Sequence, residues 1–243
     1  MQANNFYFEV ARGSRQGMTG VHAAGNNADV DAAEDIFAAG GTLQGVFAAA
    51  ALEIISASAN DASAGTGART VTIEGLDANG VIKTETATTN GITAVALTGT
   101  WTAVNRAFVA SAGSSATNEG IVTVRKVAGG VVCVTIPALE GLSNGAFYCV
   151  PAGYRLLVTS IQISVSTAGT VTGGLARVSP SGITTVSPVT VFVLGQSPYR
   201  VSLDIPIVFG PGEVAKLRVT AVSAVDQSVA GALFGVLLSP AAV

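Results

Sequence analysis

The dominant pattern along the chain is a strict alternation of apolar and polar residues. In RTVTIEG, Val71 and Ile73 face one way while Thr70, Thr72 and Glu74 face the other, the mark of a strand with one buried and one wet face. From residue 52 to 126 the same grammar predicts strands in LEIISAS, RTVTIEGLD, VIKTETAT, ITAVALTGT, WTAVNRAFVA and GIVTVRK. Asn79-Gly80 and Asn90-Gly91 lie between β-prone runs and tolerate positive φ, so both predict hairpin turns. From about residue 130 onward, VVCVTIP, AFYCV, YRLLVTSIQISVS, TVTGGLARV, TTVSPVTVFVL, YRVSLDIPIVF, VAKLRVTAVS and AGALFGVLL predict eight more strands. Pro-Ala-Gly at 151–153 and Pro-Gly at 211–212 each open a strand, an internal echo that suits two Greek keys folded over each other.

Only one segment departs toward a helix. Asp31 and Glu34 have capping-box spacing and Gly40-Gly41 supplies a stop, so a single short helix is expected over residues 32–39. Residues 1–30 carry few large apolar side chains and predict an arm without a core of its own. The expected fold class is all-β: an extended arm with one short helix (1–41), a small β-sandwich (42–128) and a jelly-roll-like β-domain (129–243).

Composition changes this picture in one respect. Charged residues are 11% of the 243, and AVILMFWYC make up 49%, with a mean hydropathy of +0.55. A monomer of this mass exposes roughly 10,000 Å², or one charge per roughly 370 Å². Such a surface self-associates, so the chain is expected to be a homo-oligomer, with a trimer favoured. The net charge of −3 and three lysines and nine arginines scattered along the chain argue against nucleic acid as a partner. No run reaches 18 apolar residues, which argues against a membrane.

Candidate chemistry is sparse. Gly141-Leu-Ser143-Asn-Gly145 fits the spacing of a nucleophile elbow, but no helix pattern follows it and the sole histidine, His22, precedes it, so a β-turn is expected. His22 has no Cys-x-x-Cys or second histidine with which to hold a metal. Asp29, Asp31, Glu34 and Asp35 match no calcium loop and read as a solvated helix start. Gly65-Thr-Gly67-Ala-Arg69 lacks the ending of a phosphate loop, and Gly231 and Gly235 fit close strand packing. Cys133 and Cys149 read as small buried hydrophobes, and Trp101, Phe108, Phe192 and Phe209 as core. No catalytic, cofactor or metal residue is assigned. The assigned site is a docking site for a partner, with Phe6, Tyr7 and Phe8 as anchors and Arg12 and Arg15 as their charged companions.

The stretch DASAGTGARTVTIEGLDANG followed by TETATTNGITAVALTGTWTAVNRAFVASAGSSATNEGIVTV resembles a group of small β-rich virion structural proteins of tailed bacteriophages. FYCVPAGYRLLVTSIQISVS resembles the strand opening of that group's C-terminal domain, and RGSRQGMTGVH with AEDIFAAGG its N-terminal segment. HAAGNN after Val21 departs from the more basic and aromatic stretch of the relatives, and Phe37 stands where they carry tryptophan. The resemblance implies a protein without enzyme activity, located in the virion and assembled in the host cytoplasm. The expected role is capsid decoration, the arm docking on the major capsid protein. A neck, collar or tail component is the alternative, and a carbohydrate- or receptor-binding module the alternative of another class. On this reading, removal of residues 1–30 leaves a folded β-protein.

Overall fold

The computed structural model describes residues 5–165, 169–194 and 198–242. Its chain is all-β, with one α-helix, α1 (Asn5–Ala11), and fifteen strands among the described residues. The chain divides into two units: Met1–Ile36 with Ala146–Val243, and Phe37–Gly145. This corrects the expected boundaries of 41 and 128 and the separate arm, because strand pairing carries the first 36 residues into the C-terminal unit.

The split unit contains β1 (Met18–Val30), β9 (Phe147–Cys149), β10 (Arg155–Val165), β11 (Thr170–Val178), β12 (Thr184–Leu194), β13 (Tyr199–Phe209), β14 (Val214–Val222) and β15 (Gln227–Leu238). One sheet runs β1-β15-β10-β13 and the other β12-β11-β14-β9, and every pairing given is antiparallel. Counted within this unit alone, the orders are 1-8-3-6 and 5-4-7-2. The core between the sheets holds Val30, Leu156, Ile161, Leu175, Leu217 and Leu233, all essentially without solvent contact. The two proline-glycine turns meet at one end: Gly212 N–H donates to Val150 O and Val150 N–H to Glu213 O. Gly153 (φ 79°) and Gly212 (φ 74°) occupy the left-handed region that these turns require.

The arm is thus a strand. β1 pairs with β15 over eleven residue pairs, and Val21 and Ala23 pack against the core. Its small residues fit an edge position that needs hydrogen bonds more than bulk. The helix expected over 32–39 does not form either. Ile36 N–H donates to Leu217 O and Val219 N–H to Glu34 O, so the chain runs extended beside β14. The reason lies in Asp35 and Ile36, adjacent residues both about 1% exposed. Asp35 accepts from Lys216 Nζ (2.7 Å) and Arg218 NH1 (2.9 Å), and burial of this charged trio outweighs the exposed capping box.

The continuous unit, Phe37–Gly145, holds β2 (Leu52–Ser56), β3 (Ala68–Asp77), β4 (Ile82–Thr88), β5 (Val95–Ala96), β6 (Trp101–Ala112), β7 (Val122–Lys126) and β8 (Val132–Ile136). Its sheets run β5-β2-β7-β8 and β4-β3-β6. Strand β8 belongs here rather than in the C-terminal region because it pairs with β7. Asn79-Gly80 turns β3 into β4 as predicted, Asp77 Oδ1 accepting from the Asn79 and Val81 amides. Asn90-Gly91 instead carries the chain from one sheet to the other, since β4 pairs with β3 and β5 with β2.

The glycine-rich loop wraps a buried carboxylate. Asp61, without solvent contact, accepts from Ser56 Oγ (2.5 Å) and from the amides of Ala68 (2.7 Å), Glu119 (2.9 Å) and Gly120 (2.9 Å). A Cβ on Gly67 would lie 2.0 Å from Asp61 Oδ1, so this approach demands glycine. Beside it Glu119 accepts from Ser115 Oγ, Thr66 Oγ1 and Asn60 Nδ2, which together hold its carboxyl below the usual range.

Candidate functional site

Helix α1 stands on the outer face of the β1-β15-β10-β13 sheet. Val10 is its buried contact, while Phe6, Tyr7 and Phe8 are 40%, 53% and 60% exposed. The structure places the five residues singled out for docking in two groups, Phe6 with Tyr7 and Arg15, and Phe8 with Arg12. Phe6 and Tyr7 meet edge to face at 5.3 Å, the Arg12 guanidinium lies 5.3 Å from the Phe8 ring centre, and that of Arg15 lies 5.8 Å from Phe6. Arg15 also pairs with Glu9 at 2.6 Å, so part of its charge is already met within the chain. The aromatic run reads as part of a helix only once Val10 has a sheet to rest on. Seven residues are too few to hold a helix unaided.

Between α1 and the sheet lies a cavity of about 440 Å³, lined on the helix side by Tyr7 and Val10 and on the sheet side by Val21, Ser160, Arg200 and Phe234, among others. Across the sheet, planar groups form a row. The His22 ring stacks on Phe234 (4.6 Å, 9° between planes), and the Arg200 guanidinium lies 5.0 Å from the same ring and donates to Ser160 Oγ at 3.1 Å. His22 thus serves as a stacking partner. The sequence hid this row because its three members come from three strands far apart in the chain. The one usable signal is that Phe234 and Arg200 occupy outward positions of predicted strands, whereas His22 lies in the segment read as an arm. Farther along the same face, Asn26, Gln162, Ser164 and Ser228 line a shallower groove with uncharged hydrogen-bonding groups.

The other sequence candidates fall into structural places. Ser143 Oγ accepts from the Ala107 amide (2.9 Å) and its own N–H donates to Ala107 O, which fixes the turn against β6. Of the four acidic residues near the expected helix, Asp29 and Asp31 stay exposed and meet Asp226, with carboxylate oxygens of the three all within 4.8 Å of one another. The negative charge of Asp31 and a hydrogen bond with Asp226 push the Asp29 carboxyl above its usual value. Glu34 accepts from Asn27 instead. Cys133 and Cys149 are buried thiols, neither in a disulfide, and burial pushes the Cys133 thiol up to about 12. On β15, a Cβ at Gly235 would lie 2.5 Å from Leu157 O, which accounts for that glycine as strand packing. Trp101 and Phe209 are core and Phe108 is half-buried, whereas the Phe192 side chain lies outside the described residues. Among the described residues, no helix is long and apolar enough to cross a membrane.

No family model matches the chain, and no curated protein matches it. Among solved structures, that of infectious bursal disease virus, Gt strain, is similar at 10% identity with a TM-score of 0.27, over 94% of this chain and 75% of that one. That of the Gx strain of the same virus is similar at 10% identity and a TM-score of 0.27, over 93% of this chain and 74% of that one.

Proposed function

We propose that this chain is a non-enzymatic structural subunit of a tailed-phage virion, acting as a capsid decoration protein that self-associates and docks on the major capsid protein. The observation that carries the reading is the strand order 1-8-3-6 and 5-4-7-2 of the split unit, which fits the jelly roll expected from the sequence, an architecture used by capsid and lectin domains. The phage resemblance of the sequence and its charge-poor surface support the same reading. The exposed aromatics of α1, with Arg12 and Arg15 just after it, are the docking element, held out by an integral strand in place of a free arm. A contact of this composition depends little on ion pairs, so its strength changes little with salt.

The test is the temperature at which capsids release DNA, with and without this protein, at low and high ionic strength. Particles lacking it are expected to open at lower temperature, by the same amount in both salts. Equal release temperatures exclude cementing, and particles that fail instead to join heads to tails favour a neck or tail position.

The cavity beneath α1 favours one further reading, a carbohydrate-binding module, because Tyr7, Phe234, Arg200 and Ser160 supply the aromatic and polar cluster that such a site needs. Retention on immobilised host surface polysaccharide, lost in Tyr7→Ala, supports it, and absence of retention excludes it.

A further inference from the structure

Strand β13 ends its sheet, pairing with β10 on one side and with no other strand among the described residues. Its edge carries Tyr199, 50% exposed, and Ile205, 85% exposed. Between the pairs Ser160↔Ser202 and Val158↔Ile207 the strand has more residues than its neighbour, so Leu203, Asp204, Ile205 and Pro206 have no partner on β10. Arg200 and Asp204 are exposed, and neither forms an ion pair among the described residues. A long edge with an exposed isoleucine is a template for another strand, while the charges of Arg200 and Asp204, the flanking prolines and the unpartnered stretch 203–206 guard it against strands that do not match them.

The sequence of this edge is complementary to itself. Read outward from Ser202 in both directions, it places Val201 against Leu203, Arg200 against Asp204, Tyr199 against Ile205 and Pro198 against Pro206. An antiparallel pair of identical strands centred on Ser202 would therefore set apolar against apolar and cation against anion at every position. From Arg200 to Asp204 burial alternates, while Tyr199 and Ile205 at the two ends are exposed. Val201 and Leu203 are half-buried on the core side, while Arg200, Ser202 and Asp204 face out. The prolines at both ends lack an N–H and stop the ladder, leaving seven residues in a single register. Moving the centre by one residue, to Val201 or Leu203, brings Arg200 against Ser202 or Pro206 and loses both ion pairs, so charge selects the register.

We infer that two copies of this chain pair through β13 about a two-fold axis at Ser202, joining their four-stranded sheets into one of eight. The occupant of the edge is a second copy because the complementarity is that of the segment with itself, including the Arg200 to Asp204 contact made twice by symmetry. The inference deepens the self-association in the reading above and rests on it. It replaces the expected three-fold contact by a two-fold one at this surface. Seven paired residues a side make a small interface, so association is expected in roughly the micromolar range in solution and is reinforced where copies are held close together on a shell.

The test uses the full-length protein in analytical ultracentrifugation over a range of concentrations. Wild type is expected to pass from monomer to dimer. Arg200→Asp and Asp204→Arg each set like charges together twice and are expected to weaken dimerisation by about tenfold or more. The double variant Arg200→Asp/Asp204→Arg restores it, and an equimolar mixture of the two single variants forms a heterodimer, since each then supplies what the other lacks. Ser202→Cys, facing its own copy at the axis, is expected to give a disulfide-linked dimer on mild oxidation, against a low background from the buried Cys133 and Cys149. This variant decides the matter if a charge variant fails to fold. A wild type that stays monomeric at every concentration overturns both the β13 contact and the self-association. A wild-type oligomer whose size none of the charge variants alters, and which Ser202→Cys does not cross-link, overturns the β13 contact alone and leaves assembly through another face.

Discussion

Individual residues fix the loops of this protein through carboxylates that sit where solvent does not reach. Asp61 has four donors, three of them backbone amides that no other side chain serves in its absence. Asp61→Ala is expected to cost about 3 kcal/mol or more in urea unfolding, because the amides stay buried and unpaired. Gly67→Ala should approach the same loss by driving a methyl group into Asp61 Oδ1. In the split unit, Asp35→Ala strands the ammonium of Lys216, 2% exposed, and is expected to be similarly damaging, about 3 to 5 kcal/mol. The pH dependence has a definite sign. Burial pushes Glu53 up, but bonds from Arg125, Gly129 and Ala128 prevail and leave its carboxyl below the usual value, as three side-chain donors do for Glu119. A depressed folded-state value means stability present above the unfolded value, about 4.3, and lost as pH falls through the folded one. Thermal midpoints are therefore expected to hold near neutrality and drop as pH falls below about 4.5, with Glu53→Gln showing a shallower drop.

At the scale of elements, β1 shows how far hydrogen bonding can carry a segment that lacks bulk. Its eleven pairs with β15 make it part of the sandwich, so removal of residues 1–30 is expected to lower the melting temperature by at least about 5 °C and to expose the β15 edge. Retention of the wild-type melting curve by that truncation would restore the arm picture. Strand β4 handles its own edge differently. Lys83 and Glu85 point toward the sheet, Lys83 donating to Thr98 O with its ammonium 4.1 Å from the Trp101 ring centre, while Glu85 accepts from the Thr98 amide. Inward charges of this kind block strand addition. Strand β13 has no inward charge of this kind, and its irregularity at 203–206 and the prolines Pro198 and Pro206 limit which strand can add to it. Strand β10 displays its irregularity in the sequence itself: apolar positions 156, 158, 161, 163 and 165 slip phase once, and both of its ladders shift between Val158 and Ser160.

For the whole molecule, the consequential feature is that residues 37–145 enter and leave at neighbouring points. Phe37 bridges Gly145 and Ala38 N–H donates to Asn144 O, so the two ends of the inserted unit are already joined. A fragment of residues 37–145 is expected to fold alone and unfold cooperatively, as monitored by circular dichroism. Its failure to do so would mean that the split unit is needed to close it.

What the sequence determined by itself was local. Period-two alternation located every described strand except β1, including β5 inside ITAVALTGT, because a strand at a sheet surface must separate apolar from polar residues whatever it pairs with. Turn glycines were legible for the same reason, since positive φ is a property of one residue. The tertiary structure decided what pairs with what. Asn90-Gly91 looks like a hairpin turn but joins two sheets, the capping box at Asp31 and Glu34 gave way to burial of Asp35 and Ile36, and the arm became a strand by finding β15 some two hundred residues away. The row of His22, Phe234 and Arg200 was hidden likewise. Partners far apart in the chain leave no periodic trace in either segment, and the free energy that selects among them comes from burial and hydrogen bonds that exist only once both are in place.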